Sequence, residues 1–119
     1  MATFYRRLPK FAYVRPESLS ETLDLLKDNR DGGMRVYAGG TDVIPRLKAR
    51  LIPTPKLLID LKGIPLDYLE YERGQGLRIG CLTTFSSVID NATVKERFGV
   101  LFQGSNSVAS PQIRNRGTM

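Results

Sequence analysis

Seven residues in the first half of the chain have the composition of a loop that binds phosphate. They read Tyr37-Ala-Gly-Gly-Thr-Asp-Val43 and continue a short β-prone segment, residues 34–38, that we expect to be a buried strand. Glycines allow a tight turn and a close approach of the backbone to a ligand, and successive N–H groups at a helix start attract an anion. An ordinary strand-to-helix turn with Thr41 or Asp42 as N-cap explains the same spacing. The residues alone leave both interpretations open.

A second polar segment, Ser110-Pro-Gln-Ile-Arg-Asn-Arg-Gly-Thr118, combines arginine and amide donors with a final Gly-Thr. These groups suit the edge of a second phosphate, or they hold a long loop in place. Two common nucleotide motifs are excluded. The glycines of residues 74–80 are spaced one residue too widely for a dinucleotide-binding fingerprint, and no G-x-x-x-x-G-K-S/T sequence occurs.

The scarcity of histidine and cysteine excludes several kinds of active site. The 119 residues contain no histidine and one cysteine, Cys81. A zinc, haem or iron–sulfur site built by this chain alone would need at least two such ligands, and Ser-His-Asp or Cys-His catalysis needs a histidine. Any redox centre must therefore be an organic cofactor or belong to a partner chain. Because Cys81 lies in a strand-like run, we expect it to be a small buried hydrophobe.

The net charge of +6 and the isoelectric point of about 9.8 are explained by solvated surface charge, and they are also compatible with a nucleic acid, a phosphorylated ligand or an acidic partner. The sequence lacks aromatic residues clustered among Lys and Arg, so we expect no nucleic-acid partner. It also lacks a signal-peptide pattern and an apolar run near the roughly 20 residues that span a bilayer. We expect a cytoplasmic protein without a membrane partner.

The first sixty residues alternate between strand and helix patterns. Ser18-x-x-Glu21 is a capping box at the start of a helix, and Gly32-Gly33 follows its end. Strand-like segments at residues 11–14, 34–38 and 56–60 are separated by helical spacing. This order predicts a small βαβ subdomain with a short parallel sheet, which we assign to residues 1–65.

From about residue 66 the pattern changes. Residues 68–72 and 77–82 flank the turn Arg73-Gly-Gln-Gly76, which predicts an antiparallel hairpin. Thr84 is expected to cap a short helix, Thr93-x-x-Glu96 is a further capping box, and residues 110–119 are expected to form a loop. Residues 66–119 are thus predicted to begin an antiparallel α+β subdomain, and the fold class of the chain is α+β.

Four motifs taken together resemble one known family. They are Phe-x-Tyr-x-x-Pro-x-Ser-Leu-x-Glu-Thr-Leu at residues 11–23, Ala-Gly-Gly-Thr-Asp at 38–42, Leu-Arg-Ile-Gly-Cys-Leu-Thr-Thr at 77–84, and Val-Ala-Ser-Pro-Gln-Ile-Arg-Asn-Arg-Gly-Thr at 108–118. The chain resembles the N-terminal part of the FAD-binding (medium) subunit of molybdenum hydroxylases. This family includes the carbon monoxide dehydrogenase medium subunit, 4-hydroxybenzoyl-CoA reductase and the flavin domain of xanthine dehydrogenase. The resemblance implies a PCMH-type FAD-binding fold, truncated after its first part.

The resemblance also implies which residues bind the cofactor. The loop of residues 38–42 would wrap the FAD pyrophosphate. A second phosphate-contacting element would begin at Gly117 and Thr118, and Ala109 would lie against the cofactor. Met119 stands where the family usually has isoleucine, followed by Gly-Gly-Asn. No catalytic residue and no metal ligand is implied on this chain. The implied contacts of the first loop are Ala38, Gly39, Gly40, Thr41, Asp42 and Val43.

The implied function is electron relay in a molybdopterin-dependent oxidoreductase. FAD on this chain would exchange electrons between a [2Fe–2S] small subunit and an external acceptor or donor, and a large subunit would carry molybdopterin. The protein's own task is then to bind and orient a cofactor that carries the chemistry. The alternative is an interaction module that docks to partner subunits without bound flavin.

Overall fold

Two compact units follow one another along the chain. The first ends at Ile64, and the second runs from Pro65 to Met119. The computed structural model of the protein describes residues 7–119. The predicted α+β class is confirmed, with a parallel sheet in the first unit and an antiparallel hairpin in the second.

The first unit contains a parallel sheet of three strands. The elements of the unit are β1 (Ala12–Val14), α1 (Leu19–Asp28), β2 (Met34–Tyr37), α2 (Val43–Lys48), β3 (Leu57–Asp60) and a 3-10 helix (Leu61–Gly63). The strand order is β1-β3-β2. The register pairs Tyr13 with Leu58 and Tyr37 with Asp60, so the three strands end at the same edge of the sheet.

Helix α1 begins where the capping pattern predicts. The Ser18 hydroxyl accepts a hydrogen bond from the Glu21 N–H at 3.1 Å, and the Glu21 carboxylate accepts one from the Glu17 N–H at 3.0 Å. The reciprocal bond of the capping box therefore falls one residue earlier than expected. At the other end, Gly32 has φ of +81°, a conformation that glycine adopts without strain.

The core of the first unit surrounds its central strand. Leu58 and Ile59 of β3 are buried, together with Leu47 of α2 and Ile64. The expectation that residues 34–38 form a buried strand is wrong, because β2 lies at an edge of the sheet and its Arg35 and Val36 are exposed. Burial in a small sheet is greatest for the strand that has neighbours on both sides.

The second unit consists of an antiparallel hairpin followed by four short helices. Gly74 and Gly76 have positive φ at the hairpin turn, as the glycine pattern predicts. The buried apolar side chains of this part of the chain include Leu82, Val88 and Val94. The elements are β4 (Leu69–Glu72), β5 (Gly76–Ile79), α3 (Phe85–Asp90), α4 (Ala92–Arg97), α5 (Gly99–Asn106) and α6 (Pro111–Arg114).

Three local expectations for the second unit are wrong. Strand β5 ends at Ile79, and Cys81 lies in the turn that follows, where it is exposed and not buried. Helix α4 begins at Ala92 with Asn91 as its cap, two residues before Thr93. Residues 110–119 are not all loop, because Ser110 caps the single-turn helix α6. The predicted Thr84 cap of α3 is confirmed.

Candidate functional site

The first candidate site is the loop of residues 38–42, which we call the glycine loop. It leaves the carboxyl end of edge strand β2 and leads directly into α2. Asp42 is exposed, whereas the other four residues of the loop and Val43 are half-buried. The carboxyl edge of a parallel sheet is where α/β proteins commonly bind ligands. The six predicted contact residues therefore form one continuous element there.

Gly40 is the position in this loop that requires glycine. Its φ is +78°, and a Cβ atom added to it would lie 2.5 Å from Cε2 of Tyr37 and 3.2 Å from Cγ1 of Ile44. A non-glycine residue at this position would be strained by its backbone conformation and would also collide with a ring. The loop thus needs glycine both for its turn and for its packing.

The N–H groups of residues 39–42 in the glycine loop have no hydrogen-bond partner in the described part of the chain. Among the backbone hydrogen bonds of residues 7–119, none is donated by Gly39, Gly40, Thr41 or Asp42. Asp42 is the N-cap residue of α2, but its side chain makes no capping hydrogen bond. Its carboxylate instead lies 3.5 Å from the Arg46 guanidinium. These consecutive N–H groups remain open to an acceptor such as a phosphate oxygen.

A buried carboxylate lies at the same edge of this sheet. Asp60, the last residue of β3, is 3% exposed. It accepts hydrogen bonds from the Tyr13 hydroxyl at 2.5 Å and from the Lys62 backbone N–H at 3.0 Å, and its Oδ1 lies 2.8 Å from Nζ of Lys62. We call Tyr13, Asp60 and Lys62 the Asp60 network. These hydrogen bonds and the ion pair compensate for the cost of burying the Asp60 carboxylate.

The network shifts the pKa values of two of its members. Burial acts to raise the pKa of Asp60, but the hydrogen bonds from Lys62 and Tyr13 outweigh it and leave that pKa below its usual value. The hydrogen bond to Asp60, with some burial, raises the pKa of the Tyr13 hydroxyl. At neutral pH Asp60 is therefore a carboxylate and Tyr13 a neutral phenol.

The Asp60 network contacts the glycine loop through Lys62. Its Nζ donates a hydrogen bond to the Ala38 carbonyl at 3.0 Å and lies 3.6 Å from the centre of the Tyr37 ring. Local sequence patterns do not identify Tyr13, Asp60 and Lys62 as site residues. A signal was present, since an aspartate ends an apolar strand, but its partners are distant in sequence.

The second candidate site lies in the second unit, in residues 108–119. Ala109 is exposed and has φ of +37°, which is uncommon for a residue other than glycine. The guanidinium of Arg114 donates to the Val108 carbonyl at 2.8 Å, which holds the start of the segment against α6. The predicted contact Ala109 thus sits on a turn fixed by an arginine.

Gly117 and Thr118 are held by backbone pairing. Thr118 forms an antiparallel bridge with Thr84, the Gly117 carbonyl accepts from the Phe85 N–H at 3.0 Å, and the Gly117 N–H donates to the Ile113 carbonyl at 2.7 Å. Gly117 is buried, and an added Cβ would lie 3.1 Å from the Ile113 oxygen. Thr118 is half-buried. The amide of Gly117 is therefore already occupied.

Among residues 7–119 no group of three or more Asp, Glu, Cys or His side chains is placed to hold a metal ion. In the same part of the chain, no helix has both the length and the apolar character needed to cross a membrane.

The fold and the glycine loop define a class: an α+β protein whose glycine-rich loop follows a parallel strand. Residues 9–119 match the family described as the FAD binding domain in molybdopterin dehydrogenase. The chain belongs to this family. It is 34% identical over 112 residues to the glyceraldehyde dehydrogenase medium chain of Sulfolobus acidocaldarius, a match covering 93% of this chain and 38% of that protein.

Further relatives and solved structures agree. The carbon monoxide dehydrogenase medium chain of Hydrogenophaga pseudoflava is 33% identical over 111 residues, covering 93% of this chain and 38% of that one. A structure of carbon monoxide dehydrogenase from the same organism superposes with a TM-score of 0.86, at 34% identity over 94% of this chain and 38% of the other. Quinoline 2-oxidoreductase from Pseudomonas putida gives 0.84, at 32% identity and the same coverage. The chain thus spans about two-fifths of the length of these proteins.

Proposed function

We propose that this chain binds FAD as part of the flavin subunit of a molybdopterin-dependent oxidoreductase. The observation that carries the proposal is the glycine loop. Its N–H groups, which follow a strand end, have no partner among residues 7–119, and its Gly40 leaves no room for a side chain. An anion held by several backbone N–H groups needs this kind of close approach. Ala38, Gly39, Gly40, Thr41, Asp42 and Val43 are the proposed contacts of the FAD pyrophosphate.

The second unit is proposed to contribute a further contact element. Ala109 is exposed on a turn, so its methyl group and backbone are available to the cofactor. Gly117 has both backbone groups engaged, so we propose that it keeps the chain close to α3 while Thr118 makes the phosphate contact. In this proposal residues 1–65 and 66–119 are two subdomains of one FAD-binding domain.

FAD would supply the redox chemistry, exchanging electrons between a [2Fe–2S] small subunit and an external acceptor or donor. The proposed complex also includes a large subunit with molybdopterin, and we place it in the cytoplasm. The residues of this chain bind and orient the cofactor, and none is assigned as a catalytic acid, base or nucleophile. Support comes from the family match and from relatives that are named as medium chains of dehydrogenases.

The test is the flavin content of the protein purified from its own cells with the chains that accompany it. We expect about one FAD per chain. Thr41→Val should weaken FAD binding roughly tenfold, because a hydroxyl hydrogen bond to a charged phosphate is lost. Thr54→Val, at an exposed position outside the glycine loop, is the matched control and should bind FAD normally.

Two results would contradict the proposal. A purified complex without flavin would favour the docking module, in which the chain acts only through its partner subunits. Equal FAD affinity in Thr41→Val and Thr54→Val would contradict the proposed phosphate contact of Thr41 in the glycine loop.

A further inference from the structure

The Asp60 network connects the central strand to the glycine loop through one ammonium group. Nζ of Lys62 contacts Asp60 of β3, the Ala38 carbonyl of the loop and the ring of Tyr37 in β2. The Lys62 side chain is 34% exposed and that of Asp60 only 4%. In the ion pair of Lys56 with Asp31, by contrast, the atoms are 3.4 Å apart and the lysine is 81% exposed. Lys62 is thus held far more firmly than a surface lysine.

We propose that Lys62 is a positioning residue for the glycine loop, which it holds in the conformation that receives the FAD pyrophosphate. This inference rests on the proposed function. The C=O and the following N–H of a trans peptide point in opposite directions. By fixing the Ala38 carbonyl on its own side, Lys62 turns the Gly39 N–H to the opposite side of the same peptide plane.

The contacts of Lys62 argue against a direct bond to the cofactor. An ammonium group has three N–H donors. Two of them face the Asp60 carboxylate and the Ala38 carbonyl, and the face of the Tyr37 ring lies 3.6 Å from the nitrogen. The ammonium group is thus already engaged by the protein, which favours an action of Lys62 through the loop.

Asp60 and Tyr13 help to hold Lys62 in place. Asp60 is fixed by its place at the end of the central strand, and it also accepts the Tyr13 hydroxyl and the Lys62 backbone N–H. The Lys62 carbonyl in turn accepts a hydrogen bond from the Arg15 guanidinium at 3.2 Å. The lysine is thereby anchored at its backbone and at its tip, which lowers the freedom of the loop that it contacts.

The experiment compares variants of the purified protein with its accompanying chains. Lys62→Met should lower the affinity for FAD roughly tenfold, the equivalent of one hydrogen bond to a charged group. The double variant Lys62→Met/Asp60→Asn should show the same loss, which excludes an effect of leaving a charge buried and alone. Lys62→Arg should restore part of the affinity, and the matched control Lys56→Met should leave it unchanged.

A second measurement needs no flavin. In the 119-residue chain without FAD, the NMR order parameter of the Gly39 amide should be lower in Lys62→Met than in the parent or in Lys56→Met, with circular dichroism unchanged. An unchanged order parameter in Lys62→Met would overturn the inference. So would a Lys62→Met variant that binds FAD as tightly as the parent.

Salt dependence separates positioning from direct contact. If Lys62 contacted the phosphate itself, its removal would reduce the dependence of FAD affinity on ionic strength. We expect that dependence to be the same in the parent and in Lys62→Met/Asp60→Asn, which leaves the net charge unchanged, and a reduced dependence would overturn the inference. A parent protein that binds no FAD would instead contradict the proposed function.

Discussion

The glycine loop and the 108–119 segment both contain a glycine followed by threonine, yet the structure uses them in opposite ways. In the glycine loop, the N–H groups of residues 39–42 have no backbone partner among the described residues, and a side chain, Lys62, holds the loop. In the 108–119 segment, the groups of Gly117 are bonded to Phe85 and Ile113. One Gly-Thr pair leaves donors free for a ligand, and the other closes a backbone connection.

The two glycines differ accordingly. Gly40 has a positive φ and a Tyr37 ring where its side chain would be, whereas Gly117 is not in the left-handed region and has only a tight contact. The same residue type is required for conformation and space at one site and for space alone at the other.

Gly40→Ala should be the most damaging of these changes. The left-handed conformation and the contact with the Tyr37 ring together should lower the free energy of unfolding of the first unit by roughly 3 kcal/mol. Urea unfolding followed by the amide signal of Ile59 measures it. Gly74→Ala is the control, since Gly74 has a similar φ but nothing within 4 Å of an added Cβ. It should cost the second unit about 1 kcal/mol, and equal losses would show that the Tyr37 contact does not matter.

Much of the first unit could be predicted from the sequence because its signals are local. The Ser18 cap and the strand ends depend on residues a few positions apart. The Asp60 network could not be predicted, since Tyr13 and Asp60 are 47 residues apart and Ala38 and Lys62 are 24 apart. Such contacts exist only after parallel strands bring their ends to one edge.

In the second unit, the expected end of β5 and the expected cap of α4 are wrong because local patterns allow two outcomes there. The apolar run continues past Ile79, but the chain turns at Gly80, where an added Cβ would collide with the Leu66 carbonyl. Cys81 consequently lies in an exposed turn. Both Asn91 and Thr93 are good N-cap residues, and Asn91 caps α4 because α3 ends directly before it. Only the length of α3 decides between them.

Asp60→Asn should have the next largest effect, and the effect should depend on pH. The folded protein lowers the pKa of Asp60, so the carboxylate stabilises the fold above its unfolded pKa of about 4 and loses that contribution as the pH falls through the folded value. At neutral pH the substitution should cost roughly 2 kcal/mol, less than for a fully buried pair because Lys62 reaches solvent.

The measurement is urea unfolding of the parent and of Asp60→Asn from about pH 7 to about pH 3, with the difference shrinking on acidification. Asp31→Asn is the comparison. The Gly33 N–H and Lys56 lower the pKa of Asp31 in the same direction, but its side chain is exposed, so its effect should be smaller. A difference for Asp60→Asn that stays constant with pH would show that the network does not depend on the carboxylate charge.

Gly117→Ala should have the smallest effect of the three. The added methyl group would lie 3.1 Å from the Ile113 oxygen and 3.3 Å from the Phe85 ring, so its neighbours need to shift by only a few tenths of an ångström. We expect a loss of about 1 kcal/mol in the stability of the second unit, measured by hydrogen exchange at Val88. Gly104→Ala, inside α5 with open space around it, should instead stabilise that unit by about 0.5 kcal/mol. If Gly117→Ala lowered stability as much as Gly40→Ala, Gly117 would also be required for its backbone conformation, because the tight contact alone accounts for only about 1 kcal/mol.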